Sequence, residues 1–253
     1  MSLVSRISIG VLAFAAATGV ATAQETVRIG TEGAYAPFNF IDSAGELQGF
    51  DVDIAKAVCE KMGVECTYVA QDWDGIIPAL TAGKYDAIFA SMSITDERKQ
   101  VIDFSRPYYN TPSAFVTAKG SGLAGNAPAD LAGKTLGAQS STIQANYLEE
   151  HYGDADHKLY PSQDEVNLDL VSGRIDALLV DKLVAIDWLE TEDGACCELV
   201  GDDIQIGGGV GAGVRQEDTE LRDRISAAIE EIRADGTYDA INAKYFDFSI
   251  WTD

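Results

Sequence analysis

Short apolar runs alternate along the chain with stretches of helical periodicity, the pattern of an α/β protein. The stretch 51–62 places Ile54, Ala55, Val58, Cys59 and Met62 on one helical face, and Cys66 opens a strand over 67–69. Residues 85–90 are an apolar run opened by a Gly83-Lys84 turn, which predicts a buried parallel strand. Ser91 and Ser93 follow at its carboxyl end, where open α/β sheets hold ligands. Thr95 is a suitable N-cap for a helix beyond them, yet the residue three later is Arg98. A cation in a first helical turn opposes the macrodipole, at a cost of roughly 0.3–1 kcal/mol. Either Arg98 pairs with Asp96 or Glu97, or it faces an anion that it shares with the helix end. A last long helix begins near Asp218 with Leu221, Ile225, Ala228 and Ile232 on one face, and a short helix covers 238–245.

The pattern repeats. Leu80-Thr-Ala-Gly-Lys-Tyr-Asp-Ala-Ile-Phe-Ala90 matches Leu170-Val-Ser-Gly-Arg-Ile-Asp-Ala-Leu-Leu-Val180, each a helix end, a glycine cap and a buried strand. The next residue is polar in both copies: Ser91 in the first, Asp181 in the second. A second echo, Val27-Arg-Ile-Gly-Thr-Glu32 against Lys134-Thr-Leu-Gly-Ala-Gln139, gives each half a first strand leading into a polar loop. Two similar α/β lobes follow. After Pro107 and Pro112 an extended run, 113–118, enters the second half. The glycine-alternating run 207–214 returns from it, with glycine permitting bending or close backbone approach. The first lobe is then discontinuous, 24–112 plus 207–253, around a second lobe at 113–206.

Residues 1–23 carry Arg6, an apolar run from Ile7 to Val20 and Ala21-Thr-Ala23, which predicts a secretory signal peptide cleaved after Ala23. No later stretch approaches the roughly 18 apolar residues of a membrane span. The export segment holds one of the 18 basic and none of the 41 acidic residues, so 17 against 41 leaves −24 on the mature chain. That charge argues against nucleic acid or anionic membrane as a partner. In an exported protein Cys59, at a helix end, and Cys66, at the next strand start, are expected to form a disulfide. Cys196-Cys197 reads as a strained ring or as free thiols. A metal is not expected there, because only His151 and His157 exist and neither stands at ligand spacing. Leu131-Ala-Gly-Lys-Thr135 is no phosphate loop, since Pro128 occupies the required glycine position. No cofactor motif appears.

Several motifs together resemble the polar amino-acid binding proteins of bacterial ATP-binding-cassette importers, in particular the lysine/arginine/ornithine, histidine and opine binders. They are Thr31-Glu-Gly-Ala-Tyr-Ala-Pro-Phe38, Gly45-Glu-Leu-Gln-Gly-Phe-Asp-Val-Asp-Ile-Ala55, the segment from Trp73 to Arg98 with Ser-Ile-Thr-x-x-Arg, and the closing run from Arg233 to Asp247. The resemblance implies a periplasmic-binding-protein fold with two lobes joined by two crossover strands and the ligand in the cleft. It implies that Arg98 holds the ligand carboxylate, helped by the helix end at Ser141-Thr142, and that Asp181 holds the ammonium with Ser91 or Ser93. Met92, between those serines, falls in the same set. Glu32, Tyr35 and Trp73 would select the side chain, an acid and two rings suiting a cation. It further implies a periplasmic monomer that serves an inner-membrane permease. Two positions depart from the group: Ala90 stands where a serine is often found, and Trp73 is larger than the aliphatic residue of some members, so ligand size stays open.

The rival class is an enzyme, because some proteins of similar fold dehydrate small carboxylates with one acid in the cleft, a role open to Glu32. The sequence offers no nucleophile–base pair, metal cluster or cofactor motif to support it, and binding without catalysis is the expectation.

Overall fold

The repeat becomes two five-stranded sheets in the computed structural model, which describes residues 25–252. The expected signal peptide, 1–23, lies outside the described residues. The chain starts with β1 (Thr26–Thr31), makes a small antiparallel sheet from β2 (Ala34–Tyr35), β3 (Asn39–Ile41) and β4 (Leu47–Gln48), and enters α1 (Phe50–Met62). Then come β5 (Glu65–Ala70), α2 (Trp73–Thr81), β6 (Ala87–Ile88) and β7 (Ile102–Tyr109). Crossing at 110–112, the chain builds the second lobe: β8 (Ser113–Ala118), β9 (Thr135–Gln139), α3 (Ile143–His151), β10 (Asp156–Tyr160), α4 (Gln163–Val171), β11 (Ala177–Asp181), α5 (Lys182–Leu189) and β12 (Cys197–Ile204). It returns through 205–209 to β13 (Val210–Arg215), α6 (Thr219–Ala234) and α7 (Thr237–Tyr245).

The sheet orders are β5-β1-β6-β13-β7 and β10-β9-β11-β8-β12, and in each the fourth place is held by the strand that directly follows a crossover, β13 in the first sheet and β8 in the second. The repeated aspartates show why the halves resemble each other. Asp86 accepts the backbone N–H of Arg28 at 3.0 Å while its own N–H donates to Arg28 O at 2.8 Å. Asp176 does the same with Thr135, both at 2.8 Å. Each aspartate thereby pins the first strand of its lobe to the strand that follows the glycine cap. The residue before it, Tyr85 or Ile175, crosses over the first strand, where a Cβ on Gly30 or Gly137 would come within 2.6 Å or 2.5 Å of that side chain. Glycine is required at both places because the side chain occupies the space of a Cβ.

α1 and α6 pack on the first sheet around Phe50, whose ring meets Phe38, Tyr109, Tyr238, Tyr245 and Phe246. Cys59 and Cys66 form the disulfide, with Cα atoms 6.1 Å apart, tying the end of α1 to β5. Replacing both with serine is expected to cost roughly 2–3 kcal/mol in chemical denaturation, the loop-closure entropy of so short a ring. Cys196 is exposed and Cys197 buried, both as free thiols, and burial pushes Cys197 up to about 12, with the Cys196 thiol adding to it. Among the described residues no helix is long and apolar enough to cross a membrane.

Two expected elements are reduced, the strand expected over 85–90 being confined to Ala87–Ile88. The helix after Thr95 is a single 3₁₀ turn, Arg98–Gln100, although the Thr95 hydroxyl does accept the Arg98 N–H at 3.1 Å. So short a turn has little dipole for Arg98 to oppose, and the position of its side chain has to be explained by what it faces.

Candidate functional site

The carboxyl ends of β1, β6, β9 and β11 meet at a cleft of about 300 Å³ between the lobes. Of the ten predicted binding residues, Glu32, Tyr35, Trp73, Ser91, Ser93, Arg98, Thr142 and Asp181 line it. Side chains of the two lobes touch across it, so this is a closed conformation: Tyr35 Oη donates to Asp181 at 2.8 Å, Gln139 Nε2 to Glu32 at 2.6 Å and Trp73 Nε1 to Ser141 O at 3.2 Å.

Arg98 is fixed on both sides. It donates to Ser93 O at 2.8 Å and to Ser141 O at 3.1 Å, and its guanidinium stacks over Trp73, 5.2 Å from the ring centroid. Arg98 is half-buried, and desolvation lowers its pKa to about 10, leaving it charged at neutral pH. Among the described residues no carboxylate lies within ion-pair distance of it, so the pairing with Asp96 or Glu97 does not form. Two of the five guanidinium N–H donors are used in these bonds, and the other three are left to a desolvated cation.

Asp181 ends β11 and is 8% exposed. It accepts from Tyr35 Oη and from Gln144 Nε2 at 3.1 Å, while the neighbouring Lys182 pairs with Asp203 at 2.6 Å instead. Burial pushes its pKa up to about 7, with the Asp51 charge adding to the rise and the two hydrogen bonds opposing it. Glu32 lies at the other end, 9% exposed and also held up to about 7, by burial first and then by the charges of Asp164, Asp72 and Asp74. Two carboxylates are therefore enclosed beside further acids, and no cation pairs with either among the described residues. The cleft offers one fixed positive charge and two negative ones. No group of three or more described His, Cys, Asp or Glu residues is arranged to hold a metal.

Two predicted residues take other places. Met92 is fully buried in the first lobe's core with Trp73, Ile76 and Leu80, because the strand direction turns its side chain away from the cleft. Ser141 does not line the cavity. Its carbonyl receives Trp73 and Arg98, and its hydroxyl donates to Asp74 at 2.8 Å, making it a latch between the lobes. The helix end expected at Ser141-Thr142 is present, with Thr142 capping α3 through the Ala145 N–H. Ser91 and Ser141 have φ of +51° and +58°, and they are the only non-glycine residues with positive φ among those described. Backbone strain of this kind gathers at ligand clamps.

Sequence reasoning missed Gln139, Ile143 and Gln144 as lining residues. Gln139 had a signal: it is the counterpart of Glu32 in the first-strand echo, and the two equivalent positions meet across the cleft.

Residues 27–248 match the family described as bacterial extracellular solute-binding proteins, family 3. The chain is 44% identical to the L-arginine-binding protein of Pseudomonas aeruginosa, over 90% of this chain and 91% of that one. It is 40% identical to the lysine/arginine/ornithine-binding periplasmic protein of Escherichia coli, over 94% of each. Among solved structures, a periplasmic His/Glu/Gln/Arg/opine family-binding protein from Silicibacter pomeroyi in complex with lysine superposes with a TM-score of 0.80 at 40% identity, covering 90% of this chain and all of that one.

Proposed function

The chain belongs to the bacterial extracellular solute-binding proteins of family 3, and on that premise we propose that it is a periplasmic receptor that closes on a basic amino acid and delivers it to an inner-membrane permease of an ATP-binding-cassette importer. The observation that carries the basic ligand is Glu32, a buried carboxylate surrounded by Asp164, Asp72 and Asp74 with no cation beside it. A guanidinium or ammonium at the end of the ligand side chain supplies the missing charge, and the Trp73 and Tyr35 rings flank its path. Arg98 takes the α-carboxylate, and Asp181 with Ser91 takes the α-ammonium.

The lobes turn about the crossovers 110–112 and 205–209, and a ligand held by both lobes favours the closed population. The cleft binds without turnover: its two acids, Glu32 and Asp181, already accept from Gln139 at 2.6 Å and from Tyr35 at 2.8 Å. A thermal-shift panel of amino acids and opines tests the reading, because a tight ligand raises apparent stability by mass action. Arginine, lysine, ornithine or histidine should give the largest shift. Opines, whose second carboxylate sits on the α-nitrogen that Asp181 faces, should give less. A largest shift from an acidic amino acid would refute the assignment, and conversion of the bound ligand, read by mass spectrometry, would favour an enzyme.

The site also sets a pH dependence. In the ligand-free closed form, Glu32 and Asp181 must ionise in a desolvated space as the pH rises through about 7, so closure without ligand weakens above that pH. A bound cation stabilises the ionised carboxylates and lowers their pKa, so binding at lower pH has to release their protons. Affinity for arginine should therefore be flat above about pH 8 and fall by up to about tenfold per pH unit for each group below about 7, measured by calorimetry from pH 8 to pH 5.5.

A further inference from the structure

Behind Ser91 lies a carboxylate that this binding scheme does not use. Asp51, in the first turn of α1, is fully buried and pairs with no cation among the described residues. Its Oδ1 accepts from Tyr108 Oη at 2.7 Å. Its Oδ2 accepts from Asn39 Nδ2 at 3.2 Å, from the Ser91 backbone N–H at 2.7 Å and from the Ser91 hydroxyl at 3.0 Å.

The proton directions in this cluster are forced. The Gly33 N–H donates to Asn39 Oδ1 at 2.8 Å, which fixes the amide so that its NH₂ faces Asp51. Oδ2 thus meets two groups that can only donate, the Asn39 amide and the Ser91 N–H, and as a carboxylate oxygen it has no proton to give. The single proton of the Ser91 hydroxyl then goes to Oδ2, and Tyr109 Oη, 2.9 Å from Ser91 Oγ, donates to that oxygen. A hydroxyl has one donor and two acceptor positions. With the donor spent on Asp51 and one acceptor on Tyr109, Ser91 has one lone pair left, and it lines the cleft.

We propose that Asp51 is a positioning residue for recognition: by taking both the N–H and the hydroxyl of Ser91, it holds that residue in its left-handed conformation and presents Ser91 Oγ to the cleft as an acceptor only. An acceptor-only hydroxyl in the same cleft as Asp181 accepts from an α-ammonium and gives no hydrogen bond to a carboxylate. It thereby orients the ligand between Arg98 and Asp181. The inference rests on the proposed binding of a basic amino acid and adds the group that sets its polarity.

The test compares arginine with 5-guanidinopentanoate, which lacks only the α-ammonium, by calorimetry. Asp51→Leu should weaken arginine by about tenfold or more, the size of one hydrogen bond to a charged group, and leave 5-guanidinopentanoate nearly unchanged. Asp51→Asn should recover part of that loss, because its amide oxygen can take the place of Oδ2. In a Ser91→Ala background Asp51→Leu should cost arginine nothing further. Equal weakening of both ligands, or an undiminished effect without the Ser91 hydroxyl, overturns the positioning role while the functional reading stands. A wild-type protein that binds no amino acid overturns both. If Asp51→Leu does not fold, neutron diffraction on the ligand-free wild type decides: a Ser91 deuteron on the line to Asp51 supports the proposal, and one pointing into the cleft refutes it.

Discussion

Asp181→Asn is expected to weaken arginine binding by at least about 30-fold, while the ligand-free protein melts at the same temperature or higher. The two halves of this result have one cause. Truncating a partner of a buried, hydrogen-bonded charge pair costs about 2–5 kcal/mol, and the ligand ammonium loses that partner. The ligand-free protein carries the same carboxylate without a counter-charge, held up to about 7 by desolvation, and an amide of the same shape removes that penalty. A structural role for Asp181 would lower affinity and stability together. Calorimetry and thermal melting on one preparation separate the two.

Arg98→Ala should cost a similar factor by loss of the carboxylate partner, and the loss should depend on the ligand. Agmatine, which is arginine without its carboxylate, makes no direct use of Arg98 and should lose far less than arginine, only the share that Arg98 contributes to closure. The variant also loses the hydrogen bond to Ser93 O, the stacking on Trp73 and the hydrogen bond to Ser141 O, and the last of these crosses between the lobes and helps hold them closed. Small-angle scattering of the ligand-free variant should therefore show a more open particle. Equal loss for arginine and agmatine would reduce Arg98 to a closure contact and place the carboxylate elsewhere.

Much of this architecture was legible because it is repeated. The Gly-basic-x-Asp-Ala signature marks a local event in each lobe, a capped helix followed by an aspartate that pins the first strand, and local events leave local patterns. The helix 51–62, the Cys59–Cys66 pairing and the buried strand before Ser91 belong to the same class. The 3₁₀ turn at Arg98 was misjudged as a helix, because a good N-cap says where a turn begins and nothing about how far it extends. The small sheet of β2, β3 and β4 went unforeseen, as strands of two or three residues carry too little alternation to register.

The site divides in the same way. Arg98 and Asp181 could be reached from residue type and position at strand ends. Met92 could not be placed from spacing, since adjacent residues at a strand end point to opposite sides and only the packing decides which side is the cleft. Gln144 and Asp51 depend on contacts across 37 and 40 residues of chain, to Asp181 and to Ser91. Their partners are chosen by the tertiary fold.

The central claim is that the cleft recognises a cationic side chain through the enclosed carboxylate of Glu32. Its most direct test is calorimetry at pH 8 of arginine against citrulline, the neutral analogue of nearly the same shape, on protein freed of bound ligand by unfolding and dialysis. One site per chain is expected, with arginine tighter by about 30-fold or more. Citrulline binding as tightly as arginine would contradict it.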